Sequence, residues 1–420
     1  MRTMSEILDV NSIKRAAQLL SDVVKRTSLD HSSRLTNKFG VDVLLKREDV
    51  QLARSYKIRG AYNFISSLSD QERAMGVVCA SAGNHAQGVA YSCNKLGIKG
   101  KIFLPATTPR QKRQKIMEFG GLWVEIVIGG HSYDDASLAA RRDEIRSGSV
   151  FVHAFDDPRT IAGQATVGVE LLEQLPTPNV STVVVPVGGG GLIAGIALWL
   201  RSQRPDITII GAEPTGAPSM TKALANNGPI ALEQMDSFVD GAAVGRVGDL
   251  TFPIVRDLVD EIVLVPEGAI CTEMLELYQN EGIITEPAGA LATAALSRIA
   301  IDRSKGAVVA ILSGGNNDVS RYSEILERSL VHEGLRHYFL VTFPQEPGSL
   351  RRFLEEVLSD GEDIVVFEYV KKSNRETGPA LVGIDLESPD SLSGLLWRMQ
   401  NSPLEIEQVP PGSPLFTFLL

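Results

Sequence analysis

The sequence of 420 residues predicts an α/β protein with mostly parallel sheets, followed by a smaller unit of different grain. Three observations predict it. Between about 41 and 312, short β-rich apolar runs alternate with longer helix-like segments, the strand–crossover–strand rhythm of parallel sheets. Several of these runs are continuously apolar rather than alternating, as strands covered on both faces are. Past about 335 a β-α-β-β-α-β order takes over for about eighty residues.

In chain order, strands are expected at 41–46, 77–79, 101–104, 124–128, 182–186, 208–212, 262–265 and 307–313. Helix-like segments follow them, among them 84–96, stopped by Gly97, and 191–200. The stretch 317–334 is polar and helical in character, a connector. After it come a strand at 337–343 and the turn Gln345-Glu346-Pro347-Gly348. Leu350, Phe353, Leu354, Val357 and Leu358 then fall at i, i+3, i+4, i+7 and i+8, one apolar helix face. Strands at 364–370 and 380–386 flank a polar turn, a helix follows at 391–399, and 404–409 is the last strand. That order is the split ferredoxin-like unit, and it reads as an appendage rather than a catalytic domain.

The composition narrows the function classes. With 44% hydrophobic and 22% charged residues it matches an ordinary soluble globular protein, long enough to need no disulfide or metal staple. Lys and Arg number 41 against 51 Asp and Glu, a net charge of −10 with no long basic run, which argues against nucleic acid or an anionic membrane as partner. The opening MRTMSEILDV has no apolar core or cleavage pattern, so no export signal is expected. The longest apolar run, 192–200, falls far short of the ~20 residues that span a bilayer. Cys79, Cys93 and Cys271 are odd in number and far apart, which suits buried thiols in a reducing cytoplasm. The six histidines form no metal motif, and His332 with His337 is a poor helical pair, so no metal is expected.

Four stretches carry residue types suited to chemistry. Lys46-Arg47-Glu48-Asp49 leads to Arg54-Ser55-Tyr56-Lys57-Ile58-Arg59-Gly60-Ala61, where a lysine beside an aromatic ring enters a helix of small residues. Such an amine is either a solvated helix start or a desolvated base able to form a Schiff base with an aldehyde. Ser81-Ala82-Gly83-Asn84-His85-Ala86-Gln87-Gly88 follows a strand and opens a helix, so its amides suit a carboxylate; an ordinary N-cap at Ser81 or Asn84 explains the same residues. In Pro186-Val187-Gly188-Gly189-Gly190-Gly191-Leu192 four successive glycines separate a strand from an apolar helix. A turn needs one or two, whereas four let several amides converge on one phosphate. No Lys-Ser/Thr pair follows them, and no acidic residue stands at dinucleotide spacing. Ile311-Leu312-Ser313-Gly314-Gly315-Asn316 again ends a strand in small and polar residues, where the ligands of parallel sheets sit. A lysine amine, a phosphate cup, an anion-binding helix start and a strand-end hydroxyl are together what pyridoxal 5'-phosphate requires.

The motifs SYKIRGA, SAGNHAQGVA, VPVGGGGLIAG, Glu213-Pro214, Thr285-Glu286-Pro287-Ala288-Gly289-Ala290 and SGGN, in that order, resemble those of the serine/threonine dehydratases. These belong to the tryptophan-synthase-β-like, fold-type-II pyridoxal enzymes, and the resemblance covers essentially the whole chain. The appended segment resembles the single ACT-like regulatory domain of short-form biosynthetic threonine dehydratases. The resemblance implies a two-lobed catalytic domain over 1–318 (small lobe about 50–155), a connector at 319–335, an ACT-like domain at 336–411 and a tail at 412–420.

Carried over by motif, Lys57 would hold the cofactor and serve as the base, and Tyr56 would lie by the ring where many relatives have Phe. Asn84 would contact the ring hydroxyl; Gly188, Gly189, Gly190, Gly191 and Leu192 would bind the phosphate; Ser313 would face the ring nitrogen. Ser81, Ala82, Gly83, Asn84 and His85 would line the substrate carboxylate, with Glu286 supporting from behind. The implied reaction is α,β-elimination from L-threonine, or L-serine, giving for threonine 2-oxobutanoate and ammonia as the first step of isoleucine biosynthesis. Ala82 stands where related racemases have a serine, so racemisation is expected to be minor. Ser219 stands where metal-binding relatives have an acid.

Isoleucine or valine is the expected allosteric ligand, at Pro347-Gly348, where an ordinary turn is the competing reading. A homotetramer or homodimer in the cytoplasm is implied. A catalytically silent amino-acid sensor is the reading from another class, and an intact Lys57 with its glycine run speaks against it.

Overall fold

Strands that are apolar on both faces need cover on both faces, and in the computed structural model of this chain they lie at the centres of two parallel sheets. The structure describes residues 8–175, 179–369 and 377–419; the first seven residues, Val370 and Leu420, which entered the sequence reading, lie outside them. By their contacts the residues fall into two units, Met1–Glu267 with Glu276–Asn317, and Gly268–Leu275 with Asp318–Leu420.

The first unit holds two sheets. Strands β1 (Leu29–His31), β2 (Val43–Arg47), β7 (Val180–Pro186), β8 (Thr208–Pro214), β9 (Glu261–Val265) and β10 (Ala307–Leu312) form a six-stranded sheet in the order β1-β2-β10-β7-β8-β9. Only the β1–β2 pairing is antiparallel. The central register places Val309 beside Leu44 on one side and Val183 on the other. The smaller sheet is wholly parallel, in the order β5-β4-β3-β6, from β3 (Val77–Ala80), β4 (Gly100–Leu104), β5 (Val124–Ile128) and β6 (Val150–Phe151). Between the sheets' cores runs the helix Lys57–Ser66: its Ala61, Phe64 and Ile65 join the small-sheet core, while Ile161, Ala165, Ile193 and Ile196 of the helices Pro158–Gln174 and Gly191–Gln203 build the large one. These three helices stack backbone to backbone. A Cβ on Gly163 would lie 2.5 Å from the Arg59 carbonyl oxygen, so only glycine permits the crossing.

Two cations and two carboxylates lock this stack. The Arg59 guanidinium is fully buried and meets Glu48 at 2.8 and 2.9 Å and Glu170 at 2.7 Å. Lys46 Nζ, also fully buried, meets Glu170 at 2.7 Å and the Thr27 carbonyl at 2.8 Å. The helix that begins at Lys57 is thus tied to β2 and to Pro158–Gln174.

The second unit is a four-stranded antiparallel sheet, β12-β13-β11-β14, from β11 (Arg336–Pro344), β12 (Glu362–Tyr369), β13 (Thr377–Leu386) and β14 (Glu405–Val409). Phe353 and Leu395, from the helices Ser349–Glu356 and Leu392–Asn401, pack with Phe339, Val341 and Phe343 of β11. Tyr338 belongs to a second apolar cluster, with Val331 of the helix Tyr322–His332 and Phe416 of the helix Pro414–Leu419. The β-α-β-β-α-β order is present, with two departures. The stretch read as a tail carries a helix whose Phe416 is buried edge-on against Tyr338 at 6.0 Å. Gly268–Leu275, read as part of the first domain, groups with this unit, where Thr272 and Ser329 share a hydroxyl hydrogen bond of 2.9 Å.

All three cysteines are buried and outside any disulfide, and burial pushes the Cys93 thiol up to about 12. Among the described residues no helix is long and apolar enough to cross a membrane.

Candidate active site

The segment before Lys57 is stitched to the end of β10. Ser55 bridges Gly314, the Tyr56 amide donates to the Ser313 carbonyl at 3.2 Å, and the Gly315 amide donates to the Arg54 carbonyl at 2.8 Å. Lys57 then opens its helix with Nζ 3.1 Å from the Ala154 carbonyl oxygen and 5.2 Å from the centre of the Tyr56 ring. Burial lowers its pKa from 10.5 to about 8, with the charge of Glu286 pulling the other way. An amine this easily neutralised is a nucleophile and a base near neutral pH. Burial, then Glu286, raises the Tyr56 phenol, which stays protonated.

After β3, residues Ser81, Ala82 and Gly83 lead into the helix Asn84–Leu96. Its N-cap is Gly83, with no side-chain cap, so no side chain at the cap supplies a partner for the first-turn amides, and a Cβ on Gly83 would meet nothing within 4 Å. Asn84 is held at both ends of its carboxamide. Its Nδ2 donates to Glu286 Oε1 at 2.6 Å and its Oδ1 accepts from Asn316 Nδ2 at 2.8 Å. That leaves one Nδ2 hydrogen for a ligand. Glu286 is buried, and desolvation together with the charge of Asp240 raises its pKa to about 7, against hydrogen bonds from Asn84 and the Asn316 backbone and the charge of Lys112. The pair occupies the space beside Gly314, where a Cβ would lie 2.2 Å from Glu286 Oε1.

His85 belongs to the same turn, but its ring points elsewhere. Nε2 lies 2.9 Å from the Val152 carbonyl oxygen, and burial lowers the pKa to about 3, so the imidazole is neutral with its proton on Nε2. Ser313, just past β10, is buried and donates its hydroxyl to the Ala288 carbonyl at 3.0 Å.

The glycine run leaves β7 and enters the helix Gly191–Gln203, whose N-cap is Gly190 at φ +91° with no side-chain cap. A residue in this left-handed region favours glycine. The first amides of that helix have no intrahelical partner, and none is supplied by a side chain at the cap. An uncapped helix start behind four glycines fits a phosphate group. Glu213, by contrast, spends its carboxylate on the Met220 and Thr221 amides at 2.6 and 2.9 Å and the Thr221 hydroxyl at 2.7 Å, with Ser219 Oγ at 3.4 Å. Among the described residues no group of three or more His, Cys, Asp and Glu side chains is placed to hold a metal ion.

Two features were not visible in the sequence. Ala154, Phe155 and Asp156 belong to none of the motifs, yet Ala154 supplies the partner of Lys57 Nζ. Arg59 stands in the lysine motif, but nothing in its spacing announces a buried bridge to Glu48 and Glu170.

Comparison with known proteins bears on this arrangement. A family model described as pyridoxal-phosphate dependent enzyme matches residues 20–314, and one described as the C-terminal regulatory domain of threonine dehydratase matches 327–419. The L-threonine dehydratase biosynthetic IlvA of Mycobacterium tuberculosis (strain CDC 1551 / Oshkosh) is 54% identical over 410 residues, covering 97% of this chain and 95% of the relative. The chain belongs to the threonine dehydratase family of pyridoxal-phosphate dependent enzymes. The proteins of the same name from Corynebacterium glutamicum and Bacillus subtilis are 50% and 45% identical, covering 100% and 99% of this chain and 97% and 98% of theirs. Among solved structures, the processed form of threonine deaminase isoform 2 from Solanum lycopersicum has a TM-score of 0.72 at 36% identity over 79% of this chain and 90% of that one. Maize serine racemase has 0.71 at 34%, over 78% and 99%. The expected fold, a fold-type-II pyridoxal enzyme with an appended regulatory domain, is borne out, and so is the expected cofactor.

Proposed function

We propose that this protein converts L-threonine to 2-oxobutanoate and ammonia with pyridoxal 5'-phosphate as cofactor, at the head of isoleucine biosynthesis. The observation that carries the reading is Lys57: an amine of lowered pKa at a helix start, in a chain of this family, with uncapped helix starts at Asn84 and Gly191 in the same unit. When bound, the cofactor supplies an aldehyde carbon for an amine and a conjugated ring that withdraws electrons from the substrate's Cα.

Lys57 would hold the cofactor through its amine, and as a free amine of lowered pKa it would be the base for the proton at the substrate's Cα. The Ala154 carbonyl keeps the freed amine in place at 3.1 Å. Gly188, Gly189, Gly190, Gly191 and Leu192 present amides to the phosphate. Asn84, its carboxamide held by Glu286 and Asn316, would donate its remaining hydrogen to the ring hydroxyl, and Tyr56 would lie beside the ring. Ser313, whose hydroxyl donates to the Ala288 carbonyl, would offer the ring nitrogen a neutral partner, which would favour elimination over longer-lived anionic states. The substrate carboxylate sits on the first-turn amides around Ser81, Ala82, Gly83, Asn84 and His85. His85 contributes its main chain, since its ring is committed to Val152. Ala82 offers no acid to the second face of Cα, so the product of inversion at Cα, D-allothreonine from L-threonine, is minor.

Regulation belongs to the second unit. A cleft of about 450 Å³ is lined by Phe343, Glu346, Gly348, Leu354, Phe367 and Tyr369, among others. Its apolar walls and backbone turn suit a branched-chain amino acid, isoleucine as inhibitor or valine as activator. Gly348 lines it; Pro347, the other residue expected there, is not among the lining residues. A cytoplasmic homo-oligomer completes the proposal. The test is turnover of threonine and serine, each with and without isoleucine: threonine preferred and isoleucine-sensitive supports it, and no release of 2-oxobutanoate contradicts it.

A further inference from the structure

The glycine run does not hold its own shape. Gly189 presents its carbonyl to Thr251, 62 residues further along the chain, whose hydroxyl donates to it at 2.6 Å. The Gly248 amide donates to the same oxygen at 3.3 Å. Thr251 is fully buried and opens the helix Thr251–Leu258. No described peptide bond is cis, so the Gly190 N–H points away from the Gly189 carbonyl across their shared peptide plane. Holding the carbonyl therefore aims the amide. Thr251 also sets how close the run can come, since a Cβ on Gly190 would lie 2.8 Å from its Oγ1.

Thr251 is itself held by Asp156. One carboxylate oxygen accepts from the Leu250 and Thr251 amides at 2.8 and 3.2 Å, and the other from the Asp249 amide at 3.0 Å. Between them the Phe155 ring fills the space beside Gly189, where a Cβ would lie 2.5 Å from the ring. Ala154, Phe155 and Asp156 thus serve Lys57, the glycine run and the Thr251 loop in succession.

We infer that Thr251 is a positioning residue for the cofactor phosphate: by holding the Gly189 carbonyl it turns the Gly190 amide into the anion cup, and Asp156 fixes Thr251 for that task. The inference rests on the reading of residues 188–192 as the phosphate site. Pyridoxal, which lacks the phosphate, separates this role from a general structural one.

Full-length apo-protein is titrated with pyridoxal 5'-phosphate and with pyridoxal, following absorbance, for wild type, Thr251→Val and Thr251→Ser. A lost buried hydrogen bond to a backbone carbonyl predicts that Thr251→Val binds pyridoxal phosphate roughly tenfold more weakly. Pyridoxal affinity stays unchanged and Thr251→Ser restores the phosphate preference. Wild-type affinity for pyridoxal phosphate in Thr251→Val overturns the inference, and so does an equal loss for both ligands. If wild type itself binds the two ligands alike, the phosphate reading of 188–192 falls and the inference falls with it. Should Thr251→Val not fold, Asp156→Asn is read the same way: a smaller loss confined to the phosphorylated ligand supports the role, and no such loss overturns it.

Discussion

Surrounding an amine with protein in place of water disfavours its charged form, and Lys57 accordingly titrates near 8 in place of 10.5. Because the folded-state pKa is lowered, the neutral amine becomes abundant as pH rises through about 8 rather than above 10. The rate at which apo-protein captures pyridoxal phosphate should climb through that range, measured by stopped-flow absorbance; a climb confined to higher pH would speak against a desolvated lysine. Glu286 permits a second test. Glu286→Gln keeps an acceptor for Asn84 but removes the charge that Glu286 carries above pH about 7, and a charge-assisted hydrogen bond is roughly twice as strong as a neutral one, so kcat/KM for threonine measured above that pH should drop about tenfold. An unchanged value would mean that Asn84 needs no such support. At this scale the motif residues were legible because each motif is local. The Asn84–Glu286 contact spans 202 residues, so only the fold reveals that their side chains meet.

At the scale of elements, long apolar runs were readable because burial on both faces leaves a mark in composition, and the helix Asn84–Leu96 ends at Gly97 as its glycine suggests. β1 and β6 escaped. Leu29–His31 has three residues, two of them polar, and Val150–Phe151 has two, too short for any period to show. The charged stack around Arg59 escaped for another reason: Glu48, Arg59 and Glu170 are ordinary charged residues until the fold buries them. Removing one partner of such a cluster strands the other's charge, so Glu48→Ala should destabilise the catalytic unit by about 3–5 kcal/mol, read from denaturant unfolding. A change within about 0.5 kcal/mol, as for surface substitutions, would show that Glu170 alone satisfies Arg59.

For the whole molecule, a unit matched by the pyridoxal-phosphate enzyme family and a sheet unit with its own core, matched by the regulatory domain of threonine dehydratase, are distinct, with chemistry proposed for the first and effector sensing for the second. Leu354 is 43% exposed and lines the cleft of the second unit, so Leu354→Glu should abolish the response to isoleucine while leaving threonine turnover without isoleucine unchanged. Retained isoleucine sensitivity in that variant would place the effector elsewhere. The change of grain near residue 335 was plain in the sequence, whereas the grouping of Gly268–Leu275 with the second unit was not, because it depends on tertiary contacts such as Thr272 with Ser329. The central claim is that Lys57 carries a pyridoxal-dependent deamination of threonine. Its most direct test compares wild type and Lys57→Ala for the visible absorbance of bound cofactor and for 2-oxobutanoate released from threonine. Wild type should show both and Lys57→Ala neither; a Lys57→Ala protein that kept the band and the turnover would contradict the account.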